Sequence, residues 1–171
     1  MSSRFEGKVK FPLISIDPGM YSTGLAYWET SEYPSIVKLI TQKPTVYNNY
    51  LQTIVKQAQG IYNYDLTLPS DPQTVVIEFP IFYASSSLGH AVASTGGLLK
   101  LCAVTGAIAS IYDYKAVHAV PVNIWKGQLP KRVVMERIIR IIGQAKCNEL
   151  KLQKDMWDAV GIGLWALGRF N

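Results

Sequence analysis

The segment Thr74 to Phe79, TVVIEF, constrains this chain more than any other. A continuous β-branched run of this kind reads as a strand buried on both faces, which needs a covering layer on each side. It also carries Glu78 near its end, and a carboxylate there is costly to bury without a partner. The rest of the chain must therefore supply flanking helices and something for Glu78 to meet.

The order of the other elements agrees with a layered α/β domain. Phe11 to Asp17 (FPLISID) is β-rich and closes in the turn signal Pro18-Gly19,. Gly24 to Thr30 and Ser35 to Thr41 read as further short strands, and such short connections imply an antiparallel meander. A helix is expected around Asn49 to Tyr62, where Leu51, Ile54, Val55, Ala58, Ile61 and Tyr62 recur at helical spacing,. A longer helix is expected from Leu88 to Tyr112. Gly96-Gly97 inside it implies close packing or a break, at about 1 kcal/mol per glycine. Ala116 to Val122 reads as the last strand, Lys131 to Ile142 as an amphipathic helix, and Lys154 to Gly168 as a final helix,. The pattern β-β-β-α-β-α-β-α-α gives a mixed sheet with helices and leaves strand order open.

With 171 residues, 49% of them apolar and 17% charged, the chain fits one domain spanning 1–171 and is not generally disordered,. The uncharged stretch Phe79 to Leu99 is interrupted by Pro80, His90, serines and glycines, so no membrane span is expected, and the first sixteen residues lack a long apolar segment,. Cys102 and Cys147 form neither a disulfide framework nor a metal-ligand spacing. A cytoplasmic protein is the expectation. The net charge is +5, and eight basic residues against two acidic ones fall between Lys126 and Lys154. Such a stretch is either a solvated face or a surface for an anionic partner.

Four acids stand out by position: Asp17 at a strand end, Glu78 on the buried strand, and Asp155 and Asp158 three residues apart on one helix face,. Each has a plain structural reading. Asp17 suits a turn, Glu78 a core acid paired with a lysine, and Asp155 a helix start. Together they suggest more, because ionised carboxylates at 4 Å repel by about 4 kcal/mol at an effective dielectric of 20. A fold that gathers them needs a compensating cation. Oxygen-only ligands suit Mg²⁺ or Mn²⁺.

The stretches ISIDPGMYSTGLAYW, VVIEFPIF and KDMWDAVGIGLWAL resemble, in the same order, the three acidic motifs of the RuvC family of Holliday-junction resolvases. The resemblance spans almost the whole chain and implies an RNase H-like fold. It also implies that Asp17, Glu78, Asp155 and Asp158 are the catalytic, metal-binding set, with two Mg²⁺ per site and Mn²⁺ as a substitute. Family members carry basic residues between the last strand and the next helix, where Lys126 and Lys131 stand here, and the resemblance implies a catalytic role for them, offsetting charge that develops on the phosphate. Their connection is shorter than in bacterial chromosomal members, and the WKG…PK pattern resembles phage-type ones, which would work in a bacterial host cytoplasm. An aromatic wedge follows the glutamate in the family. Phe79 and Phe82 flank the expected position, which is Ile81 in this chain.

The implied activity is resolution of four-way DNA junctions, with other branched DNA as related substrates, by paired symmetric nicks. A homodimer is implied, and Ala93, Gly96, Gly97, Ala103, Gly106 and Ala107 make the long helix a candidate interface, unless they only pack within the monomer. Arg132, Arg140, Lys146, Lys151 and Lys154, with both lysines of the shorter connection, are expected to contact phosphates. Two other readings stay open: another RNase H-fold nuclease acting on RNA–DNA hybrid or flap DNA, and a non-catalytic junction-binding protein. Length weighs against the two-domain ATPases that share an Asp-x-Gly turn, since 171 residues hold one such domain,.

Overall fold

A computed structural model describes residues 8–43, 49–81, 96–113 and 116–170. A meander of β1 (Leu13–Asp17), β2 (Ser22–Trp28) and β3 (Ile36–Thr41) leads into α1 (Tyr50–Asp65). There follow β4 (Thr74–Phe79), α2 (Gly97–Ala109), β5 (Val117–Pro121), α3 (Val122–Trp125), α4 (Lys131–Ile142), α5 (Gln144–Glu149) and α6 (Met156–Ala166). The five strands form one mixed sheet in the order β3-β2-β1-β4-β5. β1, β2 and β3 pair antiparallel, while β4 runs parallel to β1 and β5 parallel to β4.

Strand alternation divides the core into two layers. Ile14 and Ile16 of β1, Leu25 of β2, and Val75 and Ile77 of β4 face one way, against Ile54 and Ile61 of α1 and Val104 and Ile108 of α2. Leu13, Ala26, Trp28, Val76 and Val120 face the other way, against Val134 and Ile138 of α4 and Val160 and Leu164 of α6. TVVIEF is thus the strand buried on both faces that its composition demands, with β1 and β5 as neighbours.

Two glycines let α6 sit close to this second layer. A Cβ at Gly163 would lie 2.5 Å from the Trp28 ring, and one at Gly161 would lie 2.7 Å from the Trp125 ring. Ser15, buried in β1, fastens the layer further. It donates to Ala159 O at 2.8 Å and accepts from Trp28 Nε1 at 3.0 Å.

The structure departs from the periodicity in several places. On α1 the buried face is Thr53, Ile54, Gln57 and Ile61, whereas Leu51, Val55 and Tyr62 are exposed. Gln57 is tolerated inside because its amide donates to Thr23 Oγ1 at 2.7 Å and to Ile40 O at 3.1 Å,. The expected Leu88–Tyr112 helix is described only as α2. Gly96 has φ +67 immediately before it, so the glycine pair marks a helix start,. The beginning of that expected helix, with His90 and Ala93, lies outside the described residues. α3 and α5 were not anticipated, and the last helix begins two residues later than expected. Among the described residues, no helix is long and apolar enough to cross a membrane.

Candidate active site

The alternation that sorts the core also aims the acids. Counting along β1 from Leu13 and Ser15 puts Asp17 on the face covered by α6, and counting from Val76 does the same for Glu78,. Ile16 pairs with Ile77, so the two acids occupy the next step of adjacent parallel strands. α6 then brings Asp155 and Asp158 over that end of the sheet. It can approach because β2 carries Gly24, where a Cβ would lie 2.2 Å from Asp155 O.

Asp155 stands immediately before α6 and makes no capping hydrogen bond to the helix. Its Oδ2 instead accepts from Ser22 Oγ at 2.6 Å. Asp158 lies in the first turn of α6 and is only 5% exposed, at the end of the helix where a negative charge is favoured,. Glu78 Oε2 accepts from the Trp125 indole at 2.6 Å. Asp155 does stand at a helix start and Glu78 does have a lysine nearby, Lys126, and the Ser22 and Trp125 contacts add to those structural readings.

Lys126 and Lys131 are threaded among the carboxylates. Lys126 Nζ lies 3.1 Å from Asp158 Oδ1 and 3.9 Å from Glu78 Oε2. Lys131 Nζ lies 2.8 Å from Asp158 Oδ2 and 3.6 Å from Asp155 Oδ1. Asp17 makes no side-chain hydrogen bond or ion pair among the described residues.

The electrostatics follow from this arrangement. Burial pushes the Asp17 carboxyl well above the usual range, and the charges of Glu78, Asp158 and Asp155 push it further against a smaller opposing pull from Lys126. Burial also raises Glu78, although Lys126 and the Trp125 hydrogen bond oppose the rise,. Burial alone would lower the Lys131 ammonium, but its hydrogen bond to Asp158 and the surrounding acids outweigh that and raise it.

The site thus gathers all four carboxylates with both lysines. As they stand, no three Asp, Glu, His or Cys side chains among the described residues surround one point closely enough to hold an ion. The donor set is nevertheless oxygen-only and over-supplied with negative charge at its buried end, which fits a hard divalent cation.

Among the described residues, the other basic residues of the stretch form no ion pair with these four acids. Arg132, 84% exposed, pairs with Glu136 on α4, and Lys146 pairs with Glu149 while lying 4.3 Å from the Tyr33 ring centroid. Arg140, Lys151 and Lys154 are exposed, the two lysines with positive φ of 51 and 43. Phe79 ends β4, 41% exposed, next to Glu78. Phe82 lies outside the described residues. Sequence reasoning had not assigned Ser22 or Trp125 to the site. The β1–β2 register, which pairs Asp17 with Gly24, would have placed Ser22 on the acidic face. For Trp125 the only signal was its place beside Lys126.

No protein-family model matches the chain, and no curated protein matches it. Solved structures do. The chain is similar to Thermus thermophilus RuvC in complex with a Holliday junction substrate, with a TM-score of 0.61 at 17% identity, over 89% of each chain. A further Thermus thermophilus RuvC structure gives a TM-score of 0.57 at 16% identity, over 89% of this chain and 90% of that one. The shared property is the fold. This chain has the RNase H-like fold of RuvC, a mixed five-stranded sheet flanked by helices.

Proposed function

We propose that this chain is a structure-selective DNA endonuclease that resolves four-way junctions by paired nicking, using divalent metal ions held by Asp17, Glu78, Asp155 and Asp158. The observation that carries this reading is the convergence of those carboxylates, with two lysines, at one end of an RNase H-like sheet. Mg²⁺ suits the donors, with Mn²⁺ as a substitute. Bound as a pair, such ions supply the Lewis acidity that activates a water and stabilises the leaving 3′-oxygen.

The chain's own residues do the remaining work. Asp17, buried among like charges, would be the acid whose ionised form a bound cation relieves most. Lys126 and Lys131 now neutralise Asp158 and its neighbours. From these positions their ammonium groups would meet negative charge developing on the scissile phosphate. Ser22 and Trp125 each hold one carboxylate oxygen. Arg132, Arg140, Lys146, Lys151 and Lys154 provide phosphate contacts, so affinity should fall steeply with salt. Phe79 follows Glu78 on β4 and, by strand alternation, offers its exposed aromatic ring on the opposite face of that strand end,.

Two cuts related by the symmetry of a four-way junction call for two sites at a fixed separation, which a C₂ homodimer provides. The outer face of α2 supports that role: Leu99 is 75% exposed, Ala103 and Gly106 are exposed, and a Cβ at Gly106 would meet nothing within 4 Å.

The test is cleavage of a synthetic four-way junction in competition with linear duplex and RNA–DNA hybrid, in Mg²⁺, Mn²⁺ and EDTA. Symmetric, metal-dependent nicking of the junction, with Asp155→Asn binding but not cutting, is the expected result. Equal cutting of duplex or hybrid would make the chain a different RNase H-fold nuclease, and binding without cutting under every metal would make it a junction-binding protein.

A further inference from the structure

Trp125 meets the acidic cluster with the polar edge of its ring, Nε1–H donating to Glu78 Oε2 at 2.6 Å. The ring is only 3% exposed, and its orientation is held from several sides. α6 leaves room for it at Gly161, where a Cβ would lie 2.7 Å from Cζ3. The Phe170 ring lies 5.6 Å away, tilted by 56°. Lys126 Nζ lies 4.7 Å from the Trp125 ring centroid. No hydrogen bond to Glu78 Oε1 forms among the described residues.

We propose that Trp125 is a positioning residue for the divalent-cation site: its N–H captures Glu78 Oε2, sets the plane of the carboxylate and leaves Oε1 as the ligand oxygen. The inference rests on reading the cluster as a cation site. The chemistry of indole suits the task, because it is a donor only and carries no charge. Lys126 can also hold a carboxylate, but its charge competes with an incoming cation, whereas the indole orients Glu78 without that competition. Hydrogen-bond partners of metal ligands typically change metal affinity by about 10- to 100-fold when removed.

The experiment measures Mn²⁺ binding to the full chain without DNA, by titration calorimetry, for wild type and Trp125→Phe. The variant should bind Mn²⁺ about 10- to 100-fold more weakly. A second readout does not depend on how well Trp125→Phe folds. In a ¹⁵N–¹H spectrum the wild-type Trp125 indole proton should resonate downfield of that of Trp28, whose partner is the neutral Ser15 hydroxyl at 3.0 Å. It should move upfield in Glu78→Ala, a change that a purely packing role would not produce. Mn²⁺ affinity of Trp125→Phe within about twofold of wild type, well short of that range, would overturn the assignment. So would an indole resonance unmoved by Glu78→Ala. If those results come from a wild type that binds Mn²⁺ and cuts junctions, only the role of Trp125 falls. A wild type that neither binds Mn²⁺ nor cuts removes the cation site and this role together.

Discussion

The two faces of the sheet are built from the same strands and by different chemistry. The face under α1 and α2 is lined mainly by aliphatic side chains, Ile14, Ile16, Leu25, Val75, Ile77, Val104 and Ile108, with the uncharged pair Gln57 and Thr23 hydrogen-bonded among them. The face under α4 and α6 carries tryptophans seated on glycines, the buried hydroxyl of Ser15 and, at one end, four carboxylates and two lysines. Aliphatic burial is non-directional, whereas a hydrogen bond depends on the distance and angle between its partners. The contrast suggests that one layer supplies stability while the other spends some of it on holding charged groups in place.

The largest expected effect lies on the charged face. Asp17→Asn should lower junction cleavage by about a thousandfold, several kcal/mol of transition-state stabilisation. In metal-free buffer the same change should raise the melting temperature. The sign follows from the direction of the shift. Asp17 titrates higher in the folded chain than in the unfolded one, so stability falls as pH rises through that window,. The Asn variant lacks that slope, and each kcal/mol recovered corresponds to about 2–4 °C. Melting curves from pH 4 to 8 check it, and a loss of stability in Asp17→Asn would erase the distinction between the faces.

Ile108→Ala sharpens the comparison from the other side. It should cost about 2–5 kcal/mol in denaturant unfolding, because the aliphatic layer leaves a cavity. Below the transition it should leave kcat of the folded protein close to wild type. A fall in kcat as large as the fall in stability would show that the two layers are coupled.

The smallest effect concerns Asp65, the acid at the end of α1. Burial raises its carboxyl, the Tyr112 hydroxyl eases it and Asp71 adds repulsion. Its ionisation therefore lowers stability as pH rises, and Asp65→Asn should be neutral or slightly stabilising at pH 7 with unchanged cleavage. Melting temperatures of the pair at acidic and neutral pH decide it. A marked loss at pH 7 would mean that the ionised carboxylate is needed.

Most of this frame was legible in the chain because it rests on periodicity. TVVIEF and Lys131–Ile142 coincide with β4 and α4, and the meander follows from short β-rich runs between turn residues. The four acids were legible by their places at strand and helix ends. What escaped has a physical reason. α3 and α5 contain 4 and 6 residues, too few for a periodic signal, and each is held by a buried residue, Trp125 or Cys147, whose partners are distant in sequence. The outward-facing Leu51 and Val55 and the inward-facing Gln57 likewise depend on a tertiary choice. Ser22 needed the strand register, and the interleaving of the lysines needed α6 in place.

The central claim, that the acidic end of the sheet is a divalent-cation centre, is tested most directly by diffraction at the manganese edge from crystals of the chain soaked in Mn²⁺. The account predicts anomalous density at the Asp17, Glu78, Asp155 and Asp158 carboxylates, with Lys126 and Lys131 drawn away from Asp158. Density absent at saturating Mn²⁺, with both lysines still paired to Asp158, would contradict it.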